Sequence, residues 1–267
     1  MDSSHQKRIL TGALLLLVPA TGLYFGGWVL VAVLALFCGL ALWEYLSLFW
    51  PQGRLSLKIQ AVACAALLLA AFETQNPVWI ALALLAGFWC AGFGFLFGYS
   101  RSPENTDFRD AAVFLAGLVY LPVTFQFFLR LSPLETVLVI LAAAVSDTAA
   151  FYAGTHLGKR KIWPQISPKK SWAGSVGSLI GCLALCLGMG QAFGQAPWWA
   201  FLILGAWLNA AAQMGDFFES ALKRALDIKD SGKLLPGHGG LLDRIDSLLL
   251  IIPAYALART LLPFFGQ

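Results

Sequence analysis

The amino-acid sequence predicts an all-α polytopic membrane protein of about nine transmembrane helices, N-terminus in the cytoplasm and C-terminus outside, with a polar cavity facing the cytoplasm. Three observations carry that prediction. Of 267 residues, 59% are hydrophobic and 12% charged, with a mean hydropathy of +0.74, far from the roughly 45–50% apolar and about 25% charged residues of soluble domains. The charged residues are clumped, leaving apolar runs of about 17 to 25 residues, the length a helix needs to cross about 30 Å of hydrocarbon. Lys and Arg also alternate between successive connections, as the positive-inside rule requires.

Hydrophobic windows, punctuated by Pro, Gly and charge, place crossings at about 8 to 25, 28 to 49, 57 to 73, 77 to 99, 111 to 129, 133 to 156, 172 to 193, 198 to 224 and 244 to 264. The first follows Lys7-Arg8 and is expected to be retained, because Pro19-Ala20-Thr21-Gly22 is a poor cleavage site and apolar residues continue to Phe25. Cys38, Cys64, Cys90, Cys182 and Cys186 lie in apolar runs without a C-x-x-C pair, so they read as small buried hydrophobes rather than disulfide or zinc ligands. On the seventh crossing, Gly174, Gly177, Ser178 and Gly181 recur at small-residue spacings that let helices approach closely. A homodimer would suit such glycine-rich helices.

No Ser-rich or charged linker divides the chain, which predicts a single integral membrane domain over 1–267, with N-terminal helices in 1–130 and motif-bearing helices in 131–267. Internal repeats, common in secondary transporters, are absent from the sequence. Of the 18 Lys and Arg, the cytoplasmic segments of this topology hold Lys7, Arg8, Arg54, Lys58, Arg101, Arg109, Lys159, Arg160, Lys161, Lys169, Lys170, Lys223, Arg224, Lys229, Lys233 and Arg244. Only Arg130 and Arg259 fall outside. The polar connections at about 157 to 171 and 225 to 243 then both face the cytoplasm. The net charge of +4 is accounted for by orientation and lipid headgroups, and no nucleic-acid partner is expected.

A charged residue inside a crossing costs roughly 2.5 to 3.5 kcal/mol on insertion scales, so each needs a reason. They are Glu44, Asp147, Asp216 and Glu219. Glu44 is expected to snorkel near a helix end or pair with a basic loop, whereas Asp147, about two turns before a polar loop, is read as functional. Asp216, Glu219, Ser220 and Lys223 stand at i, i+3, i+4 and i+7, one helical face that Asn209 and Gln213 extend into an otherwise apolar helix. A polar stripe that deep lines a cavity. The following loop places Pro236-Gly237-His238-Gly239-Gly240 before Asp243 and Asp246, again i and i+3. Its glycines allow sharp turns and close approach of backbone to a ligand. The cluster supplies hard oxygen ligands for Mg²⁺ and cations for phosphates, the requirements of phosphoryl-type transfer. Lys159-Arg160-Lys161 and Lys169-Lys170 repeat the basic theme at a density beyond simple orientation signals.

At these residues the chain resembles the phosphatidate cytidylyltransferases, or CDP-diacylglycerol synthases. Their signature is matched by Ser220, Lys223, Arg224, Lys229, Asp230, Pro236, His238, Gly239, Gly240, Asp243, Arg244 and Asp246, a gap-constrained pattern over 27 residues. Further blocks, Ser146-Asp147-Thr148, Gly158-Lys159-Arg160-Lys161, Ser167-Pro168-Lys169-Lys170-Ser171-Trp172 and Gly215-Asp216, extend the resemblance over about 140 to 250. One departure is Ala173, where the family pattern has Glu.

The resemblance implies transfer of a cytidylyl group from CTP to phosphatidate in a bacterial-type inner membrane, assisted by Mg²⁺. It assigns Asp216, Asp243 and possible further ligand Asp147 to the metal, with Asp246 as helper. Lys223, Arg224, Lys169 and Lys170 would neutralise triphosphate and headgroup. Lys159, Arg160, Lys229 and Arg244 would add to substrate binding, Ser220 would hydrogen-bond a phosphate, and His238 with Gly239 and Gly240 would shape the nucleotide loop. Two competitors are a CDP-alcohol phosphotransferase, whose Asp-Gly…Ala-Arg…Gly…Asp…Asp pattern is missing, and a transporter, which has no need to place the basic loops and the Asp cluster on one side of the membrane.

Overall fold

The computed structural model describes residues 12, 17–232, 234–235 and 239–266. Helices dominate; among the described residues the only extended pairings are isolated bridges such as Gly194 with Phe265. Contacts divide the chain into two compact units: Met1–Leu129 with Asp230–Asp243, and Arg130–Lys229 with Arg244–Gln267. Asp230–Asp243, part of the motif-bearing half of the sequence, clusters with the N-terminal helices.

In the first unit a helical stretch over residues 17–25 precedes α1 (Gly27–Phe49), α2 (Leu55–Glu73), α3 (Pro77–Arg101), α4 (Phe108–Tyr120) and the short α5 (Pro122–Phe125). Local chemistry sets the starts. Pro77 occupies the first turn of α3, where its missing N–H costs nothing, and the Asn76 side chain accepts the Val78 N–H at 2.9 Å. Asp107 does the same for Arg109 at the start of α4. The core is built where helices touch, around Leu68, Ala71 and Ala83. Gly117 lets α4 approach α1, since a Cβ there would lie 2.8 Å from Leu42 and 3.0 Å from Tyr45. Where the loops meet, Arg54 and the Trp50 indole both reach Asp110 at 2.7 Å.

The second unit holds α6 (Pro133–Leu157), α7 (Trp172–Phe193), α8 (Trp198–Ala225) and most of α9 (Leu242–Leu261). Ser132 and Glu135 form a reciprocal capping box that starts α6, and Ser171 caps α7 through the Gly174 N–H. The glycine stripe of α7 packs on α6: a Cβ at Gly174 would meet the Ala150 carbonyl at 2.8 Å, and one at Gly181 would meet Val145 at 3.0 Å. Those glycines are thus occupied within the chain and supply no argument for a second copy. On its other side α7 receives Gly205 of α8 against Cys182 and Leu183. Gly215 brings α8 against α9, 2.6 Å from the Asp246 carbonyl by the same measure, and the Trp207 indole donates to the Ala254 carbonyl at 2.9 Å.

Among the described residues six helical segments are long and apolar enough to cross a membrane: α1, α2, α3, Phe108–Arg130, α6 and α7; much of the crossing expected at 8 to 25 lies outside the described residues. This is a polytopic membrane protein. Large side chains such as Trp28, Ile59, Phe88, Trp89, Phe97 and Trp199 are exposed on the helices, as expected when the surrounding solvent is lipid. The boundaries read from hydropathy differ from the helices by a few residues, except in the fifth expected crossing, where α4 ends at Tyr120 and the segment continues as α5 and a 3-10 turn to Arg130. Helices α8 and α9 are long as well, at 28 and 20 residues, but they are more polar and fall outside that set.

Candidate functional site

A cavity of about 670 Å³ opens in the second unit between the connection 158–171 and the helices α6, α7 and α8. Asp147 and Asp216 line it, together with Lys161, Lys169 and Lys170. The helices set this geometry. Asp147 comes from the last turns of α6, Asp216 from the polar stripe of α8, and the lysines from the connection that Ser171 ends by capping α7. Lys170 pairs directly with Asp216 and stands 3.9 Å from the centroid of the Phe217 ring, so its cation is held by a carboxylate and an aromatic face. Ser220 donates to the other oxygen of Asp216 at 3.2 Å.

Behind this wall the polar stripe continues inward as a bonded chain. Ser175 donates to Gln213 at 2.5 Å, Ser178 donates to Asn209 at 2.5 Å, and Ser146 shares a 2.7 Å hydrogen bond with Ser178. Ser146, Ser178 and Asn209 are all buried, so in lipid this satisfaction is what permits three polar side chains between α6, α7 and α8.

The structure brings other expected residues close to the cavity. Ser247 of α9 donates to Asp147 at 3.4 Å, and Asp246, buried beside it, accepts the Ser247 N–H at 2.6 Å. Asp246 also lies within electrostatic reach of Asp147, Asp216 and Glu219. Lys223 pairs with the fully buried Glu219 at 2.6 Å, which accounts for the intramembrane Glu219. Arg224 is exposed and donates toward the carbonyls of Ile166 and Ile228, both at 3.4 Å. Thus it ties the basic connection to the end of α8. Lys159, Arg160, Lys229 and Arg244 are exposed; Lys161 is the member of its basic run that lines the cavity wall.

Asp243 belongs to the first unit, where its carboxylate accepts the N–H groups of Ser231 at 3.0 Å and Gly240 at 3.2 Å. Gly239 has φ +84°, a conformation that favours glycine, and its carbonyl accepts the Leu235 N–H at 2.9 Å. His238 lies outside the described residues, as do Lys233, Pro236 and Gly237.

Among the described residues no three His, Cys, Asp or Glu side chains converge tightly enough to cage a metal. Mg²⁺ does not require a cage: it keeps several waters and is commonly held by one or two carboxylates plus substrate phosphates. The pair Asp147 and Asp216 on one cavity wall fits that demand. A second recess of about 420 Å³ shares Ile162, Ser175 and Gln213 with the cavity and is otherwise mainly lined by Trp163, Trp172, Met214 and Phe217.

Several of these residues were not singled out as site residues from the sequence. Lys161 was passed over for its neighbours because loop register is invisible in a basic run, and Ser175 carried no motif. Glu44 does not snorkel: it is buried and accepts the Leu242 N–H at 2.8 Å, and among the described residues no basic side chain pairs with it. The only available signal was its cost inside a crossing.

Fold and site together define a multi-pass membrane protein with an acid- and lysine-lined cavity. The profile of the cytidylyltransferase family matches residues 6–262, and the chain belongs to that family. It is similar to the phosphatidate cytidylyltransferase of Staphylococcus epidermidis, 32% identical over 252 residues that cover 92% of this chain and 95% of that protein. The similarity to the phosphatidate cytidylyltransferase of Bacillus subtilis is 37% over 167 residues, spanning 59% of this chain and 62% of the relative. The Staphylococcus aureus protein of the same name is 38% identical over 159 residues, 57% of this chain and 60% of its own length.

Proposed function

We propose that the chain is a phosphatidate cytidylyltransferase: a phosphatidate phosphate oxygen attacks the α-phosphorus of CTP, the bond to the β-phosphate breaks, and CDP-diacylglycerol and pyrophosphate result. The observation that carries this reading is the cavity lined by Asp147 and Asp216 together with Lys161, Lys169 and Lys170, in a chain whose family is cytidylyltransferase. The nucleophile is already an anion, so no strong general base is needed. Catalysis reduces to bringing two anions together and neutralising charge as it shifts to the leaving pyrophosphate.

Lys169 and Lys161, on the cavity wall, would receive triphosphate oxygens. Lys170, held by Asp216 and Phe217, would follow the charge at the reacting phosphorus. Ser220 fixes the Asp216 rotamer through its hydrogen bond, and Lys223, whose role toward phosphate rests on the resemblance, pairs with Glu219 one turn further along α8. Asp147 and Asp216 would hold Mg²⁺, which when bound supplies charge neutralisation on phosphate oxygens. The assignment of Asp243 as the metal ligand that partners Asp216, and of His238 to the nucleotide loop, rests on the resemblance; Asp243 is not among the residues that line this cavity. The aromatic recess beside the cavity suits the apolar part of phosphatidate.

The same proposal includes one integral membrane domain of nine crossings in a bacterial-type inner membrane, N-terminus inside and C-terminus outside, with the site open to cytoplasmic CTP. The Lys/Arg asymmetry supports that orientation. The deciding experiment is incorporation of radiolabelled CTP into chloroform-soluble product by the purified chain, with and without phosphatidate and Mg²⁺. Incorporation that needs neither would overturn the reaction.

A further inference from the structure

We propose that Glu44, on the N-terminal helix α1, is a positioning residue for the start of α9 and the glycines beside it, holding Leu242, Gly232 and Gly240 in their working arrangement from a distant part of the sequence. The inference rests on the cytidylyltransferase reading for its effect on turnover, though not for its effect on these residues. Glu44 is 4% exposed, and its Oε2 accepts the Leu242 N–H at 2.8 Å across 198 residues of chain. The N–H groups of Leu241 and Leu234 also interact with this carboxylate, and Oε1 is buried. The carboxylate is thus held by backbone donors at the start of α9, where the helix dipole favours negative charge.

The loop that ends at Leu242 is shaped to admit it. A Cβ on Gly232 would collide with Oε1 of Glu44, and one on Gly240 would collide with the Ser231 hydroxyl and lie 3.0 Å from Oε2. Asp243 grips the same loop from its own end through the Ser231 and Gly240 N–H groups. Two carboxylates therefore gather backbone donors from both arms of the segment that carries Gly239 and Gly240. Asp243 and Arg244 follow directly on Leu242, the residue that Glu44 holds, so loosening that contact lets the start of α9 shift. Glu44 acts through the loop and touches no reacting atom.

The test uses the full-length protein in lipid nanodiscs with Glu44→Leu and Glu44→Gln. Glu44→Leu removes the acceptor and should lower kcat roughly ten- to hundredfold, the scale of leaving buried N–H donors unsatisfied. Glu44→Gln keeps one acceptor oxygen for Leu242 and should restore part of that loss. Hydrogen–deuterium exchange supplies a readout independent of turnover: exchange should accelerate in peptides covering 231–242 in Glu44→Leu, less in Glu44→Gln, with α6 to α8 unchanged. Loop-confined acceleration supports the tether even if the wild-type chain turns over no CTP, an outcome that would sink the assigned reaction alone. Unchanged exchange in the loop overturns the proposal. So does an even rise over all helices with kcat per folded molecule unaltered, which would make Glu44 a plain stabilising residue. If Glu44→Leu does not fold, Glu44→Gln carries the same comparison.

Discussion

Asp216→Asn keeps the shape of the side chain on α8 and removes its charge. The structure sets two very different magnitudes for the consequences. For folding, Asp216 and Lys170 have side chains 27% and 23% exposed, between a solvated pair worth under about 1 kcal/mol and a fully buried one worth about 3–5. Breaking it should cost about 1–2 kcal/mol, a shift of a few degrees in thermal unfolding. The Ser220 hydrogen bond can persist to the Asn carbonyl. For catalysis, the change removes a hard ligand and the orienting partner of Lys170 from the same cavity wall, so turnover should fall by about 10²–10³. The assay is labelled-CTP incorporation into lipid, alongside thermal unfolding in the same detergent. Lys170→Met should also lose activity, and the double variant should lose much less than the product of the two, because both act on one pair. Native-like turnover in Asp216→Asn, with the few-degree shift present, would refute a catalytic role and leave a structural ion pair.

Other outcomes follow from different parts of the molecule. Ala173→Glu, in the first turn of α7 beside the cavity, should leave turnover unchanged or raise it; a large fall would mean that this block is misaligned with the family pattern. Ser178→Ala strips partners from Ser146 and Asn209 at once and should destabilise by about 2–3 kcal/mol, seen as earlier thermal unfolding, whereas an unaltered transition would show that the buried chain contributes nothing. A reporter fused after Gln267 should read as periplasmic and one inserted near Gln165 as cytoplasmic; a cytoplasmic C-terminus would remove the nine-crossing topology.

Much of the helical framework was legible because lipid solvation writes itself into composition. Runs bounded by Pro77, Pro133 and Pro197 begin helices where hydropathy places them. The glycine stripe of α7 could be read as a packing face, since small residues at that spacing have few other uses in a membrane. The stripe from Asn209 to Lys223 was legible for the same reason, and the structure satisfies its members one by one. What spacing could not show is pairing across the chain. Lys170 meeting Asp216, Ser247 meeting Asp147 and Tyr255 donating to the buried Glu135 at 2.9 Å join residues from separate helices, and only packing selects them. Glu44 was hardest, because its partners are backbone N–H groups, which every residue but proline possesses and no sequence pattern reveals.

The chain passes between its two compact units three times, after Leu129, after Lys229 and after Asp243. That threading makes the N-terminal helices more than a membrane anchor to be exchanged at will. Cutting the gene at the 129/130 junction would yield one fragment bearing every recognisable motif, yet missing the helices against which residues 230–243 fold. Co-expression of the two fragments should therefore restore what neither has alone. A chimera that borrows its first four helices from a distant relative should work only when the donor supplies a carboxylate at the position of Glu44.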